Sequence, residues 1–481
     1  QSAARDDDDI IITYSFVQDS STKFTPDNGS TLGVGIPTVW GMTEAQKASV
    51  RESLDAWSDV ADITFVELQE SDNSDVVGTM RFGFTTYKGT ASGVAGWATG
   101  PGTTNTPGDI WIATSDDAPI TLASGTDLSA LTAVNGVTVD IGGSSLTVYD
   151  ISTNDAVQDA AGGSVSGFYA IDDVNNEAVR VSETDTGVYM PSGEAGRLDD
   201  TRFEKGYSQD FLTLLHEIGH ALGLAHPFED ELFEGADHSD ADEANWVKSP
   251  LDHQKYSVMS YTVDDTVWFN APDWPDMGYA ISHTPMMMDI KAIQYLYGAQ
   301  ETNEDDTVYG SDYFDPNVPF VMAIWDSDGV DTIDLSAFTL DCELSLVSGT
   351  TSTVACLDGG TGWASGQMVD NLSIAYDTTI ENLIAGSGAD TIVGNSASNT
   401  LTGGDGADTF VFEGDFGTDT ITDFIVGTDL LSFADSAGSA ITSTGITSSV
   451  DNSDLVLTVS TGNTVTLTGL GTETFDDGFL A

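Results

Sequence analysis

The residues with the clearest chemistry lie in one short stretch, Leu215-His216-Glu217-Ile218-Gly219-His220-Ala221-Leu222-Gly223-Leu224-Ala225-His226. On a helix, His216 and His220 project from one face four positions apart and can reach one metal ion together. Glu217 then lies beside that ion without binding it, where a carboxylate can take a proton from an activated water. Gly223 is expected to end the helix and let the chain turn, so that His226 becomes a third ligand. Three protein ligands leave one position of a tetrahedral zinc open, the layout of a catalytic rather than a structural site. Three of the six histidines fall inside this stretch, which argues against coincidence.

The elements that must position these residues can be read from periodicity. Phe211, Leu212 and Leu215 mark the apolar face of a helix over 209–223. A second helix is expected at about 285–297, where Met287, Ile290, Ile293 and Leu296 form a core stripe rather than a cofactor site. Upstream, Val50, Leu54, Trp57 and Val60 recur at helical spacing, and Ile63–Leu68 and Met80–Thr85 read as strands. Between about 115 and 200 lies a β-rich insertion to which the sequence assigns no purpose. Val134-Asn135-Gly136-Val137 places a hairpin turn in it, and Gly142-Gly143 marks another.

Beyond about residue 300 the composition shifts to Gly, Asp, Thr and Ser, and a nine-residue period emerges across 385–393, 394–402 and 403–411. Asp390, Asn399 and Asp408 share one phase, and Ile392, Leu401 and Phe410 another. Glu381 and Leu383 extend both series backwards, while Gly414, Gly417, Asp419 and Ile421 resume them after a two-residue slip. This period predicts a coil of short parallel strands. Calcium takes six to eight oxygens, and tight glycine turns let carbonyls and Asp carboxylates converge on one ion. The candidate ligands are Gly386, Gly388, Asp390, Gly403, Gly404, Asp405, Gly406 and Asp408. The middle repeat departs from the pattern at Asn395, Ala397 and Asn399, and a Gly-Asp-rich linker or a metal-free solenoid is the competing reading.

At 481 residues the chain suggests two or three domains. Its 78 acids against 13 bases give a formal net charge of −65, which repels nucleic acid and anionic lipid. The acidity suits salty surroundings and supplies carboxylates for divalent cations. Cys342 and Cys356 either form one local bridge or stay as two thiols. No apolar run reaches the roughly 18 residues of a membrane span, so no membrane insertion is expected. Gln1 to Asp9 are polar and acidic, unlike a signal peptide; either a leader was removed or export uses another signal.

The zinc motif resembles that of the metzincin endopeptidases, whose second mark, a methionine turn, is matched by Tyr256-Ser257-Val258-Met259-Ser260-Tyr261. With the Ser-Tyr after the Met and the Gly-Asp repeats, the chain is similar to the serralysin family of bacterial secreted proteases. Gly108-Asp109-Ile110-Trp111-Ile112, Tyr295-Leu296-Tyr297-Gly298, Asp306-Thr307-Val308-Tyr309-Gly310 and Thr379-Ile380-Glu381-Asn382 also resemble family segments. The resemblance implies an α+β metzincin-like zinc protease domain over 1–300, followed by an all-β parallel β-roll over 301–481. It implies that Met259 floors the metal, that Tyr261 is a further zinc ligand able to swing to the reacting group, and that Val94-Ala95-Gly96-Trp97 forms the substrate-binding edge. It also implies a calcium loop at Asp326-Ser327-Asp328-Gly329-Val330-Asp331, supported by Asn303, Asp305, Thr307, Thr379 and Glu381. Asp328 stands where the family usually has Gly, and Asp423 and Asp429 would close the last turn.

The activity implied is that of a secreted, monomeric zinc endopeptidase acting on polypeptides, with one Zn²⁺ and several structural Ca²⁺. The end, Phe475-Asp476-Asp477-Gly478-Phe479-Leu480-Ala481, resembles an uncleaved signal for bacterial type I export and reads equally as a frayed tail. Two other readings stay open at this point. One is an extracellular repeat-containing binding protein with an inert zinc module; the other is a narrow-specificity toxin or processing protease.

Overall fold

A computed structural model describes residues 10–17, 39–70, 78–86, 96–98, 108–114, 120–121, 132–141, 144–150, 168–172, 177–183, 189–191, 205, 209–228, 251–262, 268–269, 278–279, 282–316, 318, 320–355, 368–459 and 462–481. The N-terminal sheet is built from β1 (Ile10–Phe16), β2 (Val39–Trp40), β3 (Ile63–Leu68), β4 (Met80–Thr86), β5 (Gly96–Ala98) and β6 (Ile110–Thr114). Its order is β3-β1-β4-β6-β5, with β2 pairing β4 off that path. β1, β3, β4 and β6 run parallel, and β5 closes the edge antiparallel to β6.

Helix α1 (Glu44–Ser58) starts at a capping box in which Gln46 N donates to Thr43 Oγ1 at 3.3 Å and Thr43 N donates to Gln46 Oε1 at 2.9 Å. It ends before Val60, which lies beyond the helix although it continues the apolar spacing. Helix α2 (Gln209–Ala221) carries the two upstream histidines, and α3 (Met287–Tyr297) follows the methionine turn. Val50, Leu54 and Trp57 of α1, Leu215 and Ile218 of α2, and Ile290 and Ile293 of α3 join Phe82, Ile110 and Ile112 of the sheet in one buried cluster. The apolar stripes read from sequence are therefore core, except at the end of α3, where Leu296, expected in the stripe, is 40% exposed.

The insertion is a second sheet, with strands at 120–121, 132–141, 144–150, 168–172, 177–183 and 189–191. Among its described residues Val139, Val148, Ala170 and Val181 form a buried cluster. The hairpin expected at Asn135-Gly136 is not a turn. Residues 132–141 form one strand whose register against 144–150 shifts between Ala133 and Thr138, so the extra residues make a bulge. Ile141 pairs with Ser144, and Gly142-Gly143, where the other turn is expected, lie outside the described residues.

The C-terminal part is a β-roll of short parallel strands, but not over the whole of 301–481 as expected: 351–352 pairs antiparallel with 372–373, and 446–451, 454–459 and 464–467 form an antiparallel meander at the end. Successive nine-residue repeats alternate between two sheets: 382–384 pairs with 400–402 in one, and 391–393 pairs with 409–413 in the other. Ile392, Leu401 and Phe410 are fully buried between them, as the period predicts. The roll is joined to the N-terminal core through the strand Met322–Ile324: Met322 and Ile324 face the roll, while Val321 and Ala323 join the N-terminal cluster. Lys255 Nζ to Asp370 Oδ2 at 2.7 Å adds an ion pair across the same junction. The terminal segment is docked rather than frayed, with Phe479 stacked on Phe424 and Ala481 N donating to Leu431 O at 3.0 Å. Among the described residues, no helix is long and apolar enough to cross a membrane.

Candidate metal centre and calcium turns

Helix α2 stops where the motif requires it. Gly223 takes φ +100, a conformation that side chains disfavour, and the chain turns back so that His226 faces His216 and His220. His226 Nε2 lies 3.0 Å from His220 Nε2 and 3.2 Å from His216 Nε2. Two nitrogens on one tetrahedral zinc, each about 2.0–2.1 Å from it, lie about 3.3 Å apart. The other ring nitrogens are committed: His216 Nδ1 donates to Val258 O and His220 Nδ1 to Leu224 O, both at 2.9 Å. Those bonds place the protons of His216 and His220 on Nδ1 and leave their Nε2 lone pairs converging with His226 Nε2. Lone pairs at this separation repel unless a cation lies among them, so the donor set fits zinc.

Glu217, the residue after His216, is buried. Its Oε2 has no hydrogen-bond partner among the described residues, while the backbone N–H of Ala98, on β5, donates to the carboxylate. Burial pushes the carboxyl up to about 8, the Ala98 N–H pulling the other way. Tyr261 is 62% exposed, with its ring centroid 4.7 Å from that of His226 and 5.4 Å from that of His216. Of the expected substrate edge, Val94 and Ala95 lie outside the described residues; Gly96 and Trp97 are in β5.

Several supports carried no sequence signal. A Cβ on Gly219 would meet Met259 Sδ at 2.6 Å, so a glycine is needed where the helix presses on the methionine between the two histidines. The methionine turn hangs on Asp289, fully buried at the start of α3, which accepts from Ser257 Oγ at 2.6 Å, Val258 N at 2.7 Å and Met286 N at 2.9 Å. Val258 O in turn holds His216, so Asp289 acts on the metal centre through one turn of backbone. Asp252 accepts from Ser260 Oγ at 2.6 Å and Thr262 Oγ1 at 3.4 Å, fixing the residues on either side of Tyr261. Phe228 stacks on the His226 ring at 4.8 Å.

In the roll, acids of successive turns form hydrogen-bonded ladders. On one side Asp390 Oδ1 accepts from Cys342 N at 2.7 Å, Asp408 Oδ1 from Asp390 N at 2.9 Å, and Asp429 Oδ1 from Asp408 N at 3.1 Å. Gly386, Gly388, Gly404 and Gly406 are needed here, since a Cβ at 386 would come within 2.1 Å of Phe338 O, one at 388 within 2.4 Å of the Leu340 carbonyl, and one at 404 or 406 within 1.9 Å of the carbonyl of 386 or 388. Gly403 and Gly404 also donate to Asp423. Asp405 is exposed at the outside of its turn.

On the other side Asp331 accepts from Thr307 N at 2.8 Å, and Glu381 from Asp331 N at 2.8 Å. Asp326 accepts from Tyr309 OH at 2.7 Å, which Asn303 Nδ2 also approaches at 3.0 Å. Asp305 O lies close against Gly329, Asp328 accepts from Gly329 N, and Thr379 is exposed nearby in sequence to Glu381. Burial pushes Asp331 and Asp408 up to about 6, and Asp419, whose Oδ2 is buried without a partner, up to about 7. Asp419 continues the repeat phase but was not singled out as a ligand. Cys342 is buried with its thiol donating to Leu340 O at 3.4 Å, and Cys356 lies outside the described residues.

Residues 287–443 match the family described as Peptidase M10 serralysin C terminal. The chain is 37% identical over 211 residues to serralysin of Photorhabdus luminescens, covering 41% of this chain and 38% of that protein. It is 38% identical over 202 residues to serralysin of Proteus mirabilis (40% and 36% covered). Against metalloprotease AprA of Pseudomonas entomophila strain L48 it is 38% identical over 200 residues (39% and 37% covered). The chain thus spans under two fifths of the length of these three relatives. Residues 287–443 thus match a serralysin C-terminal region, and about two fifths of the chain is similar to serralysins and a related metalloprotease.

Proposed function

We propose that the protein is a secreted zinc endopeptidase that hydrolyses internal bonds of polypeptides, with a calcium-bound β-roll as its C-terminal domain. The observation that carries this is the meeting of three Nε2 atoms, with a buried Glu217 next in sequence to His216 whose Oε2 has no partner among the described residues. His216, His220 and His226 would hold zinc, with Tyr261 as a further ligand. Zinc, when bound, supplies a Lewis acid that polarises the scissile carbonyl and acidifies water.

The chain's own residues do the rest. Among the described residues β5 is an edge strand, and an extended substrate pairing with it would place the scissile bond next to Glu217 because Ala98 of that strand touches its carboxylate. Glu217 accepts the proton of the attacking water and passes it to the leaving amine. Tyr261, exposed between two anchored neighbours, can swing to donate to the developing oxyanion. The expected domains are 1–300 for catalysis and 301–481 for the roll, with the docked C-terminal segment serving type I export and the chain acting as a monomer.

The test is casein cleavage. The wild type should cleave and 1,10-phenanthroline should stop it, while Glu217→Ala should retain zinc and lose activity by about 10²–10⁴-fold. Full activity in Glu217→Ala would refute the assigned role.

A further inference from the structure

The two sides of the roll differ at one step. In the repeat register, Asn395 stands where Gly386 and Gly404 stand, and Asn399 where Asp390 and Asp408 stand. Every side-chain donor and acceptor of both asparagines is used within the protein. Asn395 Nδ2 donates to Ile380 O at 2.8 Å and Leu346 O at 3.1 Å, and its Oδ1 accepts from Ala397 N and Asn399 Nδ2, both at 2.8 Å. Asn399 Nδ2 also donates to Glu381 O at 3.1 Å, and its Oδ1 accepts from Asn395 N at 2.9 Å. The acid ladder is interrupted here: Asp331 N donates to Glu381 and Asn399 N to Asp419, but between those steps Asn399 gives an amide to the Glu381 carbonyl instead.

A calcium ion needs oxygen lone pairs turned toward it. At this step the carbonyls of Ile380 and Glu381 are taken by N–H groups, whose positive ends repel a cation. We infer that Asn395 and Asn399 replace the ion between the turn at 377–381 and the turn at 394–399, closing this step of the roll without calcium. The amide pair, half-buried at Asn395 and buried at Asn399, ties the turns together as the ion would, without depending on its concentration. The step beyond is different, because the unpaired Oδ2 of Asp419 leaves an acceptor open to a cation. The inference rests on the reading that the other turns bind calcium.

The test is an anomalous difference map from wild-type crystals grown with calcium, paired with calcium counts for the wild type and the Asn395→Gly/Asn399→Asp variant. Ions should be present at the 386–390 and 404–408 turns and missing between 377–381 and 394–399, and the variant should bind one more ion per chain. An ion between those turns in the wild type, or equal counts in the two folded proteins, would overturn the inference. If the variant does not fold, the wild-type map decides alone. A map with no ion anywhere in the roll would instead overturn the calcium reading itself, and the contrast would fall with it.

Discussion

The proposed zinc centre and the proposed calcium turns gather groups able to hold a metal in opposite ways. At the zinc centre the ligands sit on a scaffold that holds without them: α2 is anchored by Phe211, Leu215 and Ile218, and the imidazoles are aimed by backbone carbonyls of Val258 and Leu224. In the roll the ligand groups are themselves the scaffold, since each acid accepts the N–H of the turn before it. A site on a scaffold can lose its ion and keep its shape. When the site is the scaffold, losing the ion leaves buried carboxylates facing one another.

Calcium removal should therefore show the largest difference. Each ion held at a hundred times its dissociation constant contributes about 2.7 kcal/mol, so chelation with EGTA should lower the melting temperature of the roll while zinc remains bound. The ion-free roll also has a pH dependence. Asp331 and Asp408 titrate near 6 and Asp419 near 7, above the ordinary 3.8. The folded state then holds more protons than the unfolded state between about pH 4 and 7, so its stability falls as pH rises through that window. Melting in EGTA at pH 4 and pH 7 checks this. A higher melting temperature at pH 7 would break the comparison.

Gly219→Ala sharpens the other side. The added methyl meets Met259 Sδ at 2.6 Å and must displace the methionine or the helix. The expected cost is about 1–3 kcal/mol of stability, with a fall of up to about 10²-fold in kcat through misplaced histidines. Calcium binding should be unchanged. Asp289→Asn removes one charged acceptor from the methionine turn and should destabilise the N-terminal core by about 1 kcal/mol, leaving the EGTA-sensitive transition where it was. Movement of both transitions together would mean that the two regions do not separate as described.

Much of this was legible in the residues because period and spacing express it directly. The zinc helix, its stop at Gly223 and the buried Ile392, Leu401 and Phe410 all follow from 3.6- and nine-residue patterns. What stayed hidden acts through the third dimension. Asp289 reads as an ordinary acid in a helix's first turn, and nothing local shows that it holds a loop about thirty residues upstream. Gly219 reads as a helix-weakening glycine until Met259 is placed against it. Asn135-Gly136 carries the strongest local hairpin signal, yet pairing with 144–150 keeps it inside a strand as a bulge. Asn395 and Asn399 look like decay of a calcium repeat and turn out to fill their step with four amide N–H groups.

The claim on which the rest depends is that His216, His220 and His226 share one zinc ion through Nε2. Zinc K-edge X-ray absorption on the purified protein, with elemental analysis of the same sample, tests it directly. One zinc per chain with three imidazole nitrogens at about 2.0–2.1 Å is the predicted result. An active preparation without stoichiometric zinc, or a spectrum lacking three imidazole ligands, would contradict it.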